Sequence, residues 1–470
     1  MLKRPNVYSK RATINSFANG MRGTKNQKKL DISRAKFFHN FDLSDGTLKS
    51  GIGVSDFNGN VNISSGNLTL TALYPYIKYD VVSGKYIEYV VYYAQDKCLY
   101  LASTSGKNYE KISSQTFSEV PDFIEYNYLD SDVLLVSTST EGLFVLNEKE
   151  LTAVDGVPPL TSLCIHDERV FATGAGEGKS LWFSDDFDPT NWAISLNEAG
   201  FISFAGDQGK LLKAVSFLGY VYVFCEYGIL RVVTSGNQEE FSVDNLYGKQ
   251  GKIYGETVTE CGDFIVMLTS SGFYAFNGLS STKILSEYDE VVLSADNQNS
   301  KGVFDGQNVY FVLNVNLSGV QEKAVLKYDV RNKTSYLSLN IPLNDVCYYK
   351  GTQNKVLALT TNALKPCVID NSGSCLGNDL LKSWESEYCD FSIVEKNKNL
   401  KKVSVDYNGD CILTITTENK SVDYNLKGCG QADFYPCIKG DSFKFKLSSH
   451  SSGVEIYKLT VQVDYVKESV

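Results

Sequence analysis

The sequence predicts an all-β protein: a β-propeller of about seven blades, followed by a C-terminal β-sandwich and preceded by an extended N-terminal arm. Three observations predict it: the composition, a hairpin pattern that recurs seven times, and a change of rhythm near residue 375. The 470 residues include 30 Tyr and 25 Phe but only 9 Pro. Aromatic and β-branched side chains suit a half-buried pleated surface, so this composition favours strands. The length predicts two or three domains.

The central repeat consists of an apolar run, a polar turn and a second apolar run. Its seven copies begin near Ile87, Val133, Val170, Val221, Phe264, Val309 and Val356, 37 to 51 residues apart. Four-stranded antiparallel units of about 40–50 residues are typical of propeller blades. Blades hide their apolar faces by packing around an axis, and ring closure leaves only short edges exposed. The pattern therefore predicts a propeller of six to eight blades over residues 38–375. A chain of sandwiches or an irregular solenoid is the alternative.

Residues 376–470 are predicted to form a separate β-sandwich. The final run alternates apolar and polar residues, apart from one slip at Tyr457–Lys458. The apolar positions of this run are Val454, Ile456, Leu459, Val461 and Val463. Alternation with period two is the pattern of a strand that has one buried and one exposed face.

Residues 1–37 are predicted to be an extended arm until a partner orders them. They hold ten Lys and Arg against one acid, a net +9, whereas the remainder holds 35 basic against 54 acidic residues, a net −19. The arm can dock on an acidic neighbouring subunit or contact DNA phosphates. Docking is favoured because few aromatic side chains accompany the cations. The candidate interface or DNA-backbone residues are Lys3, Arg4, Lys10, Arg11, Arg22, Lys25, Lys28 and Lys29.

The cluster that most resembles a functional site consists of Asp185, Asp186 and Asp188. Carboxylates so close in sequence can converge on a Ca²⁺ ion, which makes these residues the candidate metal ligands. The alternative interpretation is a structural turn, in which the carboxylates bind nearby backbone amides and Trp192 anchors the turn. The structural interpretation is favoured, and no cofactor is predicted.

Other catalytic patterns are incomplete. The segment Thr173–Ser180 contains Gly-Lys-Ser but has Thr173 where a phosphate-binding loop requires glycine, and it falls within a predicted hairpin. His166, beside two acids, is interpreted as a strand-end histidine. The 11 cysteines show no C-x-x-C spacing and are predicted to be buried free thiols, as at Cys98, Cys225 and Cys411.

Three groups of residues resemble a known family. The segment Asn40–Lys49 resembles the opening strand of many phage tail proteins, and Trp182–Trp192 resembles the S-D…D-P-T-N-W turn of their propellers. The C-terminal segments are similar to the terminal sandwich of the same proteins: Ser383–Ser386, Asp390–Phe391, Lys401–Asp406 and Val454–Tyr457. The chain thus resembles the tail nozzle, hub and head-to-tail stabilisation proteins of bacteriophages.

This resemblance implies a non-catalytic structural subunit of the virion tail, synthesised in the cytoplasm of the bacterial host. It implies a homo-oligomeric ring, commonly sixfold, next to a portal, adaptor or other tail protein. Genomic DNA would pass through this ring transiently, and membrane insertion is not expected. A receptor- or glycan-binding tail adhesin is the main alternative, and a carbohydrate-active enzyme is a further one.

Overall fold

A computed structural model of the chain describes residues 7–18, 20–21, 34–57, 68–80, 82–104, 109–174, 179–195, 199–235, 238–246, 248, 250–393 and 397–466. The chain divides into two compact units. Unit 1 comprises residues 1–55, 322–341 and 369–470, and unit 2 comprises residues 56–321 and 342–368. Regular structure in the described residues is almost entirely antiparallel β-sheet. The predicted all-β class is therefore confirmed.

The strands that precede unit 2 are short. They are β1 (Val7–Ile14), β2 (Ala35–His39), β3 (Phe41–Asp42), β4 (Leu48–Ser50) and β5 (Gly53–Asp56).

Four-stranded antiparallel sheets then follow one another along unit 2. The first contains β6 (Leu70–Asp80), β7 (Lys85–Ala94), β8 (Leu99–Ser103) and β9 (Glu110–Lys111), and the second β10 (Asp122–Tyr128), β11 (Ser131–Thr138), β12 (Gly142–Asn147) and β13 (Glu150–Ala153). The third contains β14 (Leu160–His166), β15 (Arg169–Gly174), β16 (Ser180–Phe183) and β17 (Gly200–Ser203), and the fourth β18 (Leu211–Phe217), β19 (Tyr220–Cys225), β20 (Gly228–Val233) and β21 (Ser242–Leu246). The fifth contains β22 (Thr259–Glu260), β23 (Ile265–Thr269), β24 (Gly272–Phe276) and β25 (Ser281–Ile284).

The later strands pair in the same way. In unit 2, β26 (Lys301–Phe304) pairs with β27 (Asn308–Leu317). In chain order β28 (Val320–Asp329) and β29 (Thr334–Leu339) form the next antiparallel pair. In unit 2, β30 (Leu343–Lys350) pairs with β31 (Asn354–Thr360), which pairs with β32 (Cys367–Asp370). The short helices are η1 (Gln238–Glu240), η2 (Gly255–Thr257), η3 (Ser286–Tyr288) and α1 (Asp289–Val292).

The C-terminal strands belong to unit 1. They are β33 (Ser374–Cys375), β34 (Asn378–Asp379), β35 (Lys382–Ser386), β36 (Lys398–Asn408), β37 (Cys411–Thr416), β38 (Ser421–Leu426), β39 (Cys429–Phe434), β40 (Ile438–Gly440), β41 (Lys444–Ser449) and β42 (Glu455–Val466).

The core of unit 2 lies between consecutive sheets. Apolar side chains of the first sheet pack against the second, those of the second against the third, and so on to the fifth. On the other side, the first sheet packs against β30 and β31, where Leu73 and Tyr92 meet Leu357. The strand β26 contacts both β22 and β30, so the series of contacts returns to its start. Each fully buried Leu, Val or Phe contributes about 1.5–3 kcal/mol to stability.

Unit 1 contains two extended sheets. In one, β1 and β4 pair with β42, which pairs with β36, which in turn pairs with β39 and β40. In the other, the strand order is β2-β35-β41-β37-β38. The apolar positions predicted for the final strand are all buried. The predicted slip is a register shift: Lys458 pairs with Asp406 and Ile456 with Tyr407, so Tyr457 is passed over.

The predicted division into 1–37, 38–375 and 376–470 differs from the two observed units. The strand β1 pairs with β42 along its whole length, and β2 pairs with β35. Ile14 and Phe17 are buried, so the N-terminal segment contributes apolar side chains to the core of unit 1. The high charge of the segment gave no indication of this role in the sequence. Residues 322–341, predicted to be propeller, also belong to unit 1.

Two further sequence features can be placed on the fold. Cys98, Cys225 and Cys411 are buried and free, as predicted, whereas Cys429 and Cys437 are free but exposed, which the prediction of buried thiols missed. Among the described residues, no helix is long and apolar enough to cross a lipid bilayer.

Candidate functional site

Charged side chains gather at the inner strands of unit 2. Asp122 begins β10, Lys213 lies on β18, Lys301 begins β26 and Asp345 lies on β30, while Glu256 lies on η2. These elements contact one another in the series of sheets, and the five charges are close enough to interact. We call these five residues the inner-strand cluster. Two lysines face three carboxylates, which leaves the cluster with a formal charge of −1.

Irregular strand pairing positions the two most buried carboxylates. The pairing of β6 with β7 shifts register between Leu70 and Ala72, and that of β14 with β15 shifts beside Leu160. Just beyond each shift, a backbone N–H turns to the neighbouring sheet: that of Leu73 donates to Asp345 Oδ2 at 2.7 Å, and that of Leu163 donates to Asp122 Oδ2 at 2.6 Å. A β-bulge at the start of a strand leaves such a backbone N–H without a partner in its own sheet. Each carboxylate accepts one of these N–H groups and so links two neighbouring sheets.

Lys301 and Asp345 form an ion pair in which the carboxylate is buried and the lysine is partly exposed. Lys301 Nζ lies 2.6 Å from Asp345 Oδ1, with side chains only 26% and 5% exposed. Burial by itself would lower the pKa of Lys301, but the attraction of Asp345, Glu256 and Asp122 raises it above its ordinary value. Lys301 is therefore held as a cation and compensates the carboxylates around it.

Asp122 is the group in the cluster that can exchange a proton near neutral pH. Burial, followed by repulsion from Glu256, raises the pKa of Asp122 to about 6, against the lowering effects of the Leu163 N–H and of Lys213. Because the folded protein binds this proton more tightly than the unfolded chain, the contribution of Asp122 to stability falls as pH rises from about 4 to about 6.

Replacing Asp122 with Asn is expected to stabilise the protein above pH 6, because Asn carries no charge and its Oδ1 can still accept the Leu163 N–H. The expected gain at pH 8 is on the order of 2 kcal/mol and should vanish near pH 4. Urea unfolding at both pH values measures it. The control is Asp130→Asn on the exposed β10–β11 turn, which should have the same small effect at both pH values. A loss of stability at pH 8 in Asp122→Asn would contradict the assignment.

The predicted metal ligands Asp185, Asp186 and Asp188 lie in a structural turn. Asp188 Oδ1 accepts the N–H of Thr190 at 2.9 Å and its hydroxyl at 2.6 Å, and Asp185 Oδ1 accepts the Asp186 N–H at 2.8 Å. Asp186 pairs with the guanidinium of Arg169 at 2.6 Å. Each carboxylate thus has a partner within the turn or beside it. In the part of the chain that the structure describes, no three His, Cys, Asp or Glu side chains converge as metal ligands.

Millimolar Ca²⁺ or EDTA is expected to leave the melting temperature unchanged, since these three carboxylates already bind protein groups. By contrast, Asp188→Ala should cost about 1–2 kcal/mol through the loss of two hydrogen bonds to Thr190. Differential scanning calorimetry measures both effects. A Ca²⁺-dependent rise in melting temperature that Asp188→Ala abolishes would show that the turn binds metal after all.

The predicted basic residues are only partly within the described chain. Lys10 and Arg11 lie on β1, where Lys10 Nζ donates to the backbone oxygen of Phe391 and Arg11 is exposed. The remaining cations lie outside the described residues: Lys3, Arg4, Arg22, Lys25, Lys28 and Lys29. Both Lys10 and Arg11 are therefore exposed on β1, and Lys10 in addition contacts the backbone of unit 1.

His166 lies at the end of β14, as interpreted from the sequence, but it is buried. Its Nδ1 is 2.8 Å from Ser216 Oγ on β18, and its Nε2 is 3.2 Å from Asp167 Oδ2. Burial lowers the pKa of His166, although Asp167 opposes this effect. The neutral ring thus links the third and fourth sheets at the end of their first strands.

No protein-family model matches this chain, and no curated protein matches it. The crystal structure of BBS1N in complex with ARL6DN, soaked with lead, matches at 9% identity and a TM-score of 0.42, over 67% of this chain and 95% of that one. The crystal structure of the computationally designed Ika8 protein matches at 9% identity and a TM-score of 0.40, over 67% and 99%. The fold assignment therefore depends on the strand pairing described above.

The sequence patterns missed the inner-strand cluster and the Ser216–His166 contact. Each member is the only cluster residue on its strand or helix, such as Lys213 in LLKAVSF or Asp345 in LNDVCYYK. A lone charge at the start of an apolar strand was the available signal. Such a charge indicates a shared cluster only when the same position is compared across several repeats.

Proposed function

We propose that this chain is a non-catalytic structural subunit of a bacteriophage tail, in which it forms a ring around the path of the genomic DNA. The observation that carries the proposal is that the motifs resembling those of phage tail proteins have structural roles in this chain. Asn40 is fully buried: its Nδ2 donates to Leu381 O, and its Oδ1 accepts the Leu339 N–H, both at 2.7 Å. Trp192 and Trp384 are buried as well. Residues that fix a shape suit an assembly component.

The architecture that we infer for this subunit is a propeller of seven blades with a β-sandwich. Support for the propeller comes from the contacts that run from the first sheet through β26 and β30 and return to β6. Support for the sandwich comes from the two sheets of unit 1, in which strands such as β41 and β42 largely alternate buried side chains with partly exposed ones. A closed ring of sheets exposes few edges, which protects a long-lived particle from unwanted strand pairing.

The partners that we propose are further copies of this chain in a ring, commonly sixfold, and a portal, adaptor or other tail protein. The body beyond residue 37 has a net charge of −19. Like charge around a conduit keeps DNA from binding to its wall, so this balance supports transient passage of the genome. The proposed location is the virion tail, after synthesis in the cytoplasm of the bacterial host.

Electron microscopy of the purified full-length chain and of virions that carry it tests the proposal. The expected results are ring-shaped oligomers of the purified chain and a matching density in the tail. Particles that stay monomeric at about 10 µM, together with tails that lack the chain by mass spectrometry, would overturn it.

One observation favours the adhesin as a second candidate. Tyr79 and Tyr86 lie at the joined ends of β6 and β7, with ring centroids 5.1 Å apart, and both are exposed. Exposed aromatic faces can bind sugars. Glycan-array binding that is lost in Tyr86→Ala would favour the adhesin. Release of sugar from a polysaccharide would instead indicate a carbohydrate-active enzyme.

A further inference from the structure

Three exposed apolar residues of unit 2 adopt a backbone conformation that bulky side chains rarely take. Leu129, Phe187 and Leu218 have φ values of 51°, 57° and 50° and are 82%, 67% and 59% exposed. Tight turns normally place Gly, Asn or Asp in this left-handed region. Each residue therefore carries local strain and also presents apolar surface to water. Such a combination points to contact with a partner.

These residues lie at the same end of neighbouring sheets. Leu129 lies on the β10–β11 turn and Leu218 on the β18–β19 turn, while the Phe187 N–H donates to the backbone oxygen of Glu168, on the β14–β15 turn, at 3.3 Å. The hydroxyl of Tyr126 donates to that same oxygen at 2.7 Å, which ties the second sheet to the third. The link between His166 and Ser216 joins the third sheet to the fourth.

The apolar surface continues to the fifth sheet. Leu218 lies against Gly278, whose backbone oxygen accepts the hydroxyl of Tyr222 at 3.1 Å, and the next residue, Leu279, is 70% exposed. We call the surface formed by Leu129, Phe187, Leu218 and Leu279 the turn face. It extends over the second to fifth sheets.

Carboxylates surround the turn face. Asp130 follows Leu129, Asp167 and Glu168 form the neighbouring turn, and Asp186 precedes Phe187; all four are exposed. The guanidinium of Arg169 is already engaged by Asp186 and by the backbone oxygen of Ser184. An occupant that covers the leucines must therefore bring cations as well as apolar side chains.

We propose that the turn face of one copy receives residues 22–33 of a second copy, which lie between β1 and β2 in the sequence. This inference rests on the self-association contained in the proposed function. These residues hold Arg22, Lys25, Lys28 and Lys29 against Asp31, a net charge of +3, whereas the chain beyond residue 37 carries −19, and Leu30 and Ile32 lie beside Lys28 and Lys29 in the sequence. The composition of this segment thus matches the turn face in both charge and apolar character.

A photo-crosslinking experiment on the full-length chain tests this pairing. A benzophenone amino acid replaces Phe187, and this variant is mixed with ¹⁵N-labelled unmodified protein before illumination. The expected product joins position 187 of the unlabelled copy to residues 22–33 of the labelled copy. Crosslinks to another region of the second copy, or no crosslink between copies, would overturn the inference.

A set of variants separates binding from folding. Asn tolerates a positive φ, so Leu129→Asn combined with Leu218→Asn should leave the melting temperature unchanged or higher, while the dissociation constant of self-association rises at least tenfold in analytical ultracentrifugation. The matched control is Leu376→Asn in unit 1, since Leu376 is also exposed and has a φ of 49°. Equal association of the double variant and the control would contradict the proposal.

The charge requirement has its own test. Replacing Lys25, Lys28 and Lys29 together with Glu should weaken association by a similar factor, and added salt should weaken that of the unmodified protein. Rings without the crosslink would overturn this inference alone. Crosslinked pairs without rings would overturn the ring assembly and leave the pairing of segment and turn face in place.

Discussion

Replacing Lys301 with Met is expected to lower the free energy of unfolding by about 3–5 kcal/mol, because it leaves a buried carboxylate without its cation. Asp345 is 5% exposed on its side chain, and Lys301 is its ion-pair partner at 2.6 Å. The loss of one partner is costly because the other charge cannot recover its hydration. Urea unfolding of the full-length chain, followed by circular dichroism, measures the change.

Two variants decide whether the uncompensated charge is the cause. Adding Asp345→Asn to the Lys301 variant should restore most of the stability, since no lone charge remains and Asn can still accept the Leu73 N–H. The control Lys365→Met breaks a surface ion pair with Asp56, in which both side chains are 41% exposed, and should cost less than about 1 kcal/mol. A double variant as unstable as Lys301→Met would show that lost packing, rather than charge, is responsible.

Trp384→Ala is expected to lower the free energy of unfolding by about 3–5 kcal/mol, because it removes the largest fully buried side chain of unit 1. Trp384 is 0% exposed, and its ring meets that of Phe17 edge-on at 5.3 Å. The substitution opens a cavity at the point where the N-terminal segment joins β35. Calorimetry should show a lower melting temperature for the transition of unit 1.

The matched variant is Trp384→Phe. The indole Nε1 has no hydrogen-bond acceptor among the described residues, so phenylalanine loses volume but no hydrogen bond. Its cost should therefore be well below that of alanine. Equal losses for the two variants would indicate that the indole nitrogen has a role that packing does not explain.

The sequence was most informative about strands that repeat. Val133, Val170, Val221, Val309 and Val356 lie on β11, β15, β19, β27 and β31, each the second strand of its sheet. Period-two alternation and turn residues are local signals, so they can be read without knowledge of the neighbours. The role of residues 1–37 could not be read in this way, because the partner of β1 is β42, more than 440 residues away.

The inner-strand cluster could not be predicted from local sequence patterns, for a related reason. Asp122, Lys213, Lys301 and Asp345 are separated by 44 to 91 residues and meet only because the sheets pack in series. The Asp185–Asp188 turn shows the opposite case. The hydrogen-bond partners of Asp185 and Asp188 described above lie within two residues in the sequence, so the structural interpretation could be made from local residues.

The pairing of β1 with β42 has a consequence for biosynthesis. A nascent chain emerges from the ribosome with β1 ahead of β42, and the two paired strands are synthesised more than 440 residues apart. Until β42 is made, β1 exposes an unpaired edge, while the sheets of unit 2 can already collapse on one another. Unit 1 can therefore complete this sheet only after residue 466 has been synthesised, and exchange of strands between unfinished chains is the error that this order favours.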